Sequence, residues 1–191
     1  EQVINGLIEA IKIFLTHDAD YFKFTDNHIE KILQRDLPVI KKIVERAIQL
    51  KIDIVSVDEK EIGPRMILNF GHTIGHALEK ISDYTLLHGY AVALGILVEA
   101  KISELCGLLS SENVQIIYGI LNKLNISASM LNAFKIDDII QATKTDKKTK
   151  SNRVQYVLLK KPGEAHTKDT MYSHPVTDDI VKEALMKLGE I

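Results

Sequence analysis

With Cys106 as its single cysteine, the chain cannot close an internal disulfide, which excludes a stapled secreted scaffold and fits a reducing compartment, the cytoplasm. Burial as a small hydrophobe is the expectation for that thiol. The longest apolar run, around residues 91–100, is about half of what a bilayer crossing needs, and no charged-then-apolar signal segment opens the chain. No Gly-x-Gly-x-x-Gly occurs, so nothing signals autonomous dinucleotide binding. The net charge of −2 gives no global preference for nucleic acid. A local basic run over residues 144–153 has no interleaved aromatic, and by itself reads as a solvated loop. Internal repeats, low-complexity stretches and linkers are missing too.

What remains is 191 residues with 46% hydrophobic content, enough for one globular core, patterned mostly as helix. Residues 2–15 form a first helix. Asp26 or Asn27 caps a second that runs into Pro38, where the pattern restarts and continues to about Ile54. A motif helix follows the turn at Glu61-Ile-Gly-Pro64. Residues 91–105 are apolar all round, which predicts a central buried helix with His88 at its entrance. Ser111 caps a helix to about Asn125, and Asp137 another to about Thr145. Residues 154–159 are β-like and form a short hairpin through Lys161-Pro-Gly163. Thr177 caps a last helix ending near Gly189. The fold class is therefore mainly α in a single domain, with one short β-hairpin.

The chemistry concentrates between Arg65 and His88, which hold three of the seven histidines between them. At about 100° per residue, Arg65, Asn69, His72 and His76 share one helical stripe, while Ile67, Phe70, Ile74, Ala77 and Leu78 lie opposite. A wet face normally carries Lys and Glu; imidazole, amide and guanidinium are instead groups that bind metals, phosphates or carboxylates with defined geometry. Gly71 and Gly75 on the flank each cost about 1 kcal/mol of helix propensity, so something approaches that backbone closely. The HxxxH spacing alone fits a metal site or two hydrogen-bonded histidines. A zinc-protease reading is weak, because Thr73 stands where its glutamate belongs. His17, His28, His166 and His174 lack partners at ligand spacing and read as surface histidines.

The segment Asn69-Phe-Gly-His-Thr-Ile-Gly-His76, with Leu87-His-Gly-Tyr-Ala-Val-Ala93 downstream, resembles the 3-dehydroquinate synthase family of sugar-phosphate cyclases. Asn5-Gly6-Leu7-Ile8-Glu9-Ala10-Ile11-Lys12 fits that family's upstream Asn-Gly-x-x-Glu-x-x-Lys. The resemblance implies a divalent metal, zinc or cobalt, on Glu9, His72 and His88. One carboxylate and two neutral imidazoles are also an ordinary catalytic zinc set with an open position. The implied substrate is 3-deoxy-D-arabino-heptulosonate 7-phosphate, a phosphorylated sugar acid. The implied roles are carboxylate binding for Lys51 and Arg65, phosphate binding for Asn69 and His76, orientation of hydroxyl groups for Glu61, and a substrate contact for Lys12. Asp146-Lys147-Lys148 matches the family's Asp-Lys-Lys, one of whose lysines reaches the phosphate. The resemblance further implies an NAD-binding domain ahead of this one, a homodimer when full length, and no turnover by this domain alone. Tyr90 departs from the family pattern by standing where a glutamate is usual. Other sugar-phosphate cyclases and metal-dependent alcohol dehydrogenases share the architecture; the latter use an aspartate and three histidines, and Glu9 argues against them. A non-catalytic metal-binding remnant is the third reading.

Overall fold

The computed structural model describes residues 2–144, 149–150 and 153–190. Helix α1 (Gln2–His17) buries Leu7, Ile8, Ile11, Phe14 and Leu15 on one face. It is followed at once by Asp18, whose carboxylate accepts the Tyr21 N–H at 2.9 Å and so starts α2 (Ala19–Asn27). The short α3 (Ile29–Leu33) ends at Arg35, which takes a left-handed φ of 63°. Asp36 then caps α4 (Leu37–Val57) by accepting from the Val39 N–H, with Pro38 in the first turn. The pattern places helix starts at Asp26 or Asn27 and again near Pro38; the structure has the second, capped by Asp36, begins α3 after His28, and adds a start at Asp18. The buried residues Phe22, Ile29, Ile32, Val39 and Ile43 keep helical spacing across both breaks, so periodicity hides what the capping carboxylates decide.

The expected motif helix is also divided. Residues Pro64–Asn69 form a 3-10 helix, and α5 (His72–Ile81) begins only after Gly71, its N-cap, at φ 78°. The Gly71 N–H donates to the wholly buried Glu99 at 2.8 Å, which pins the break. The partner that comes close to the glycines is α6 (His88–Leu105). A Cβ on Gly71 would stand 2.9 Å from the Val92 carbonyl, and one on Gly95 would stand 1.9 Å from the carbonyl of Gly71. The two backbones therefore touch where α5 crosses α6, and helix packing rather than a ligand demands those glycines. Helix α6 itself is surrounded by α1, α5, α7 (Ser111–Lys123) and α9 (Asp178–Gly189), which accounts for its all-round apolar composition.

Ser110 rather than Ser111 caps α7, and Thr177 precedes α9. Helix α8 (Ile136–Lys144) starts one residue before Asp137, which sits with Asp138 in the first turn. A hairpin turns through Pro162-Gly163 as expected, but it joins β3 (Leu159–Lys161) to β4 (Glu164–Ala165); of residues 154–159 only Leu159 takes part, and 154–156 lie in another strand. A second small antiparallel sheet joins β1 (Thr149–Lys150), β2 (Arg153–Tyr156) and β5 (His174–Pro175), with Tyr156 opposite His174. Two-residue strands are too short to show alternation, so the sequence gives them no signal.

Several expectations need correction. Cys106 is exposed, because it terminates α6 where that helix leaves the core. His174 is buried against β2, and its Nε2 lies 3.0 Å from the His166 carbonyl oxygen; His17, His28 and His166 are half-buried. No helix among the described residues is long and apolar enough to cross a membrane.

Candidate metal centre

Three helices bring the chemistry together. Glu9 and Lys12 lie on α1, His72 is the first residue of α5, and His88 is the first residue of α6. The side chain of Asn5, one turn before Glu9, accepts the Gly89 N–H and so fastens the start of α6 to α1. His72 and His88 thus stand at helix N-termini, the ends that favour the negative charge Glu9 carries.

Glu9 Oε2 accepts from the Lys12 ammonium at 2.9 Å. Glu9 Oε1 lies 3.7 Å from His72 Nε2 and 3.7 Å from His88 Nε2. It is buried and has no hydrogen-bond partner among the described residues. Leaving a buried polar atom unsatisfied costs about 1–3 kcal/mol, more for a charged group, so an oxygen placed between two imidazole nitrogens asks for a cation. Ligand atoms around a four-coordinate zinc with bonds of about 2.1 Å stand about 3.4 Å apart, close to the observed spacing. The nitrogen of His72 is also approached by Lys12 Nζ at 3.4 Å; that lysine is only 4% exposed, so its charge is held inside the cluster. The residues present therefore fit a divalent metal.

The His76 ring stacks edge-on against His72 at 5.2 Å between centroids and lies 6.2 Å from His88. His76, Glu79 and His88 form a second compact group of potential ligands that shares His88 with the first. Sequence reasoning passed over Glu79. Its position, seven after His72 and three after His76, puts it on the histidine face of α5, and that spacing was the available signal.

A neighbouring network comes from the loop before α5 and the 3-10 helix. Asn69 Nδ2 donates to Glu61 Oε1 at 2.5 Å, Arg65 Nε lies 3.9 Å from Glu61 Oε2, and Arg65 Nη1 donates to the Glu59 carbonyl. Glu61 sits at φ 55°, a conformation held by Asp58. The buried Asp58 carboxylate accepts N–H groups from Ile62 at 3.1 Å, Gly63 at 2.8 Å and Arg65 at 3.1 Å. Burial alone would push its carboxyl up, but those three amides and the Arg65 charge outweigh burial and hold it below the usual carboxylate range. The charged run 58–61 is thus a built turn whose anchor is Asp58. Because the native value is depressed, the anchor contributes stability above about pH 4 and loses it as pH falls through the native value. Asp58→Ala should accordingly lower the melting temperature at pH 7, with the gap to the parent narrowing toward pH 2. A gap that stays constant across that range would rule out the anchoring role of the ionised carboxylate.

Lys51 is exposed on α4, and no hydrogen bond or ion pair joins it to either network. Lys147 and Lys148 lie outside the described residues. Tyr90 is half-buried and packs against the hydrophobic core.

Residues 6–149 match the family described as 3-dehydroquinate synthase C-terminal. A 3-dehydroquinate synthase of Vesicomyosocius okutanii subsp. Calyptogena okutanii (strain HA) is 35% identical over 96% of this chain and 51% of its own length. One from Geotalea uraniireducens (strain Rf4) is 38% identical over 85% of this chain and 45% of its own. The chain spans about half the length of the curated relatives it matches. Among solved structures, a 2-deoxy-scyllo-inosose synthase complexed with carbaglucose-6-phosphate, NAD+ and Co2+ superposes with a TM-score of 0.82, at 26% identity over 97% of this chain and 52% of that one. A 2-epi-5-epi-valiolone synthase from Streptomyces hygroscopicus subsp. jinggangensis 5008, with NAD+ and Zn2+ bound, has the same fold at a TM-score of 0.86 and 23% identity, over 98% of this chain and 51% of that one.

Proposed function

Because the chain belongs to the 3-dehydroquinate synthase C-terminal family, we propose that it is the metal- and substrate-binding part of an enzyme converting 3-deoxy-D-arabino-heptulosonate 7-phosphate to 3-dehydroquinate and phosphate. The reaction is that of a carbon–oxygen lyase in the shikimate pathway. The observation that carries this reading is the buried Glu9 Oε1, without a hydrogen-bond partner among the described residues and equidistant from two imidazole nitrogens. Glu9, His72 and His88 would hold the divalent metal, zinc or cobalt, which would supply Lewis-acid chemistry at the substrate oxygens, with hydride chemistry supplied by NAD. NAD would come with a nucleotide-binding domain preceding this one, and the whole enzyme would be a cytoplasmic homodimer.

The chain's own residues would recognise the ends of the substrate. Arg65, with Lys51, would take the carboxylate, since a guanidinium fork matches that group. Asn69 and His76 would take the phosphate, helped by Lys147 or Lys148. Glu61 already aligns Asn69 and Arg65 and would orient substrate hydroxyls. Lys12, buried beside Glu9, would balance the carboxylate charge next to the reacting sugar.

A reconstitution experiment tests the reading. The chain joined to the preceding half of a relative, with NAD and zinc, should release phosphate from 3-deoxy-D-arabino-heptulosonate 7-phosphate, whereas the 191-residue chain alone should release none. Phosphate release from the chain alone would contradict the division of labour. Turnover of a phosphorylated sugar lacking a carboxylate, in preference to the acid, would move the chain to another cyclase of the same architecture.

A further inference from the structure

Glu79 faces His88 from the side opposite the candidate metal position. Its Oε1 lies 3.1 Å from His88 Nδ1, while Nε2 of the same ring lies 3.7 Å from Glu9 Oε1. A neutral imidazole carries one proton, and an ionised carboxylate only accepts, so this arrangement puts the proton on Nδ1 and the lone pair on Nε2. The ring of His72 is arranged alike, with Nδ1 at 3.3 Å from the Phe70 carbonyl and Nε2 toward Glu9. His72 is enclosed at 12% exposure and held by a backbone group, whereas His88 is 41% exposed and depends on a side chain for its orientation. Glu79, 15% exposed, is held in the last turn of α5, where its backbone carbonyl accepts the Ser82 hydroxyl, and can supply it.

We infer that Glu79 is the positioning residue for His88, accepting its Nδ1 proton and thereby aiming Nε2 at the cation held by Glu9 and His72. This rests on the metal reading above. The competing possibility is that Glu79 is itself a ligand, in the group it forms with His76 and His88. One feature opposes it. His88 would then turn Nδ1 to the metal and its proton toward Glu9, and the buried Glu9 Oε1 would lose its part in the site. Carboxylate partners of metal-binding histidines typically contribute about 10–100-fold to metal affinity, less than a ligand does.

The 191-residue chain is titrated with zinc against a chelating dye, as wild type and as Glu79→Ala, Glu79→Gln and His72→Ala, and the same proteins are loaded with cobalt for absorption spectra. Glu79→Ala should bind zinc about 10–100-fold more weakly than wild type. Its cobalt spectrum should shift as His88 loosens. Glu79→Gln should recover most of the affinity, because its amide oxygen still accepts the Nδ1 proton. Nitrogen-15 NMR of the metal-free wild type at pH 8 should show His88 as the Nδ1–H tautomer, a readout that needs no variant to fold. An Nε2–H tautomer, or zinc affinity in Glu79→Ala within twofold of wild type with an unchanged cobalt spectrum, overturns the inference. So does equal, ligand-sized loss in Glu79→Ala and Glu79→Gln, which would make Glu79 a ligand. Failure of the wild type to bind zinc would instead remove the metal reading itself.

Discussion

Replacing His72 with alanine is expected to weaken zinc binding by about 150–700-fold while leaving the fold in place. Apparent binding free energies of about 10–16 kcal/mol for a full protein ligand set correspond to about 3–4 kcal/mol per donor, and each 1.4 kcal/mol is a factor of about ten. His72 is a cleaner target than Glu9. Removing Glu9 would strip the buried Lys12 ammonium of its carboxylate at 2.9 Å, and breaking one half of such a pair destabilises by about 3–5 kcal/mol. Removing His72 leaves the Glu9–Lys12 pair intact and truncates only the first residue of α5, whose start is set by Gly71 and Glu99. Thermal unfolding separates the two effects. Zinc at about a hundred times its dissociation constant stabilises the native state by about 2.7 kcal/mol, a rise of about 5–10 °C for a chain of this size. The parent should show that rise and His72→Ala should not, with metal-free melting temperatures that differ little. Equal zinc-induced shifts in both proteins would place the cation elsewhere.

How much of this centre is legible in the sequence depends on which physical signal each residue carries. Glu9, His72 and His88 stood out as a set through the family resemblance, since spacing alone linked only His72 and His76, and the structure brings the three to one place. The fastening of that place did not stand out. Asn5 binds the Gly89 N–H and Glu99 binds the Gly71 N–H, contacts between helices far apart in the chain that no local window reveals. Composition announced the burial of α6 but not the identity of its neighbours, so the cost of Gly71 looked like room for a ligand when it is room for the α6 backbone. The stripe of Arg65, Asn69, His72 and His76 assumed one continuous helix, and the 3-10 segment with its left-handed glycine divides it. That division matters chemically. It separates the anion-binding candidates Arg65 and Asn69, which share Glu61, from His72 and His88, which share Glu9.

From that separation a different result is expected for Arg65→Ala, placed in the full-length enzyme. The metal set does not include Arg65, so zinc affinity should be unchanged. The guanidinium is half-buried, bonded to the Glu59 carbonyl and only loosely paired with Glu61 at 3.9 Å, so its remaining N–H donors stay available to an incoming carboxylate. A hydrogen bond to a charged group contributes about 1.5–3 kcal/mol, which corresponds to a loss of about 10–150-fold in kcat/KM, carried mainly by KM because the contact exists before and during reaction alike. Arg65→Lys should restore only part of this, since an ammonium keeps the charge but not the planar fork. Arg65 also donates its backbone N–H to Asp58, and alanine preserves that hydrogen bond, so the turn that carries Glu61 should survive. Steady-state kinetics with the acidic substrate, alongside zinc titration of the same protein, reads both quantities. Unchanged kinetic constants would remove Arg65 from substrate binding, and a loss of zinc affinity would show that the two networks are one.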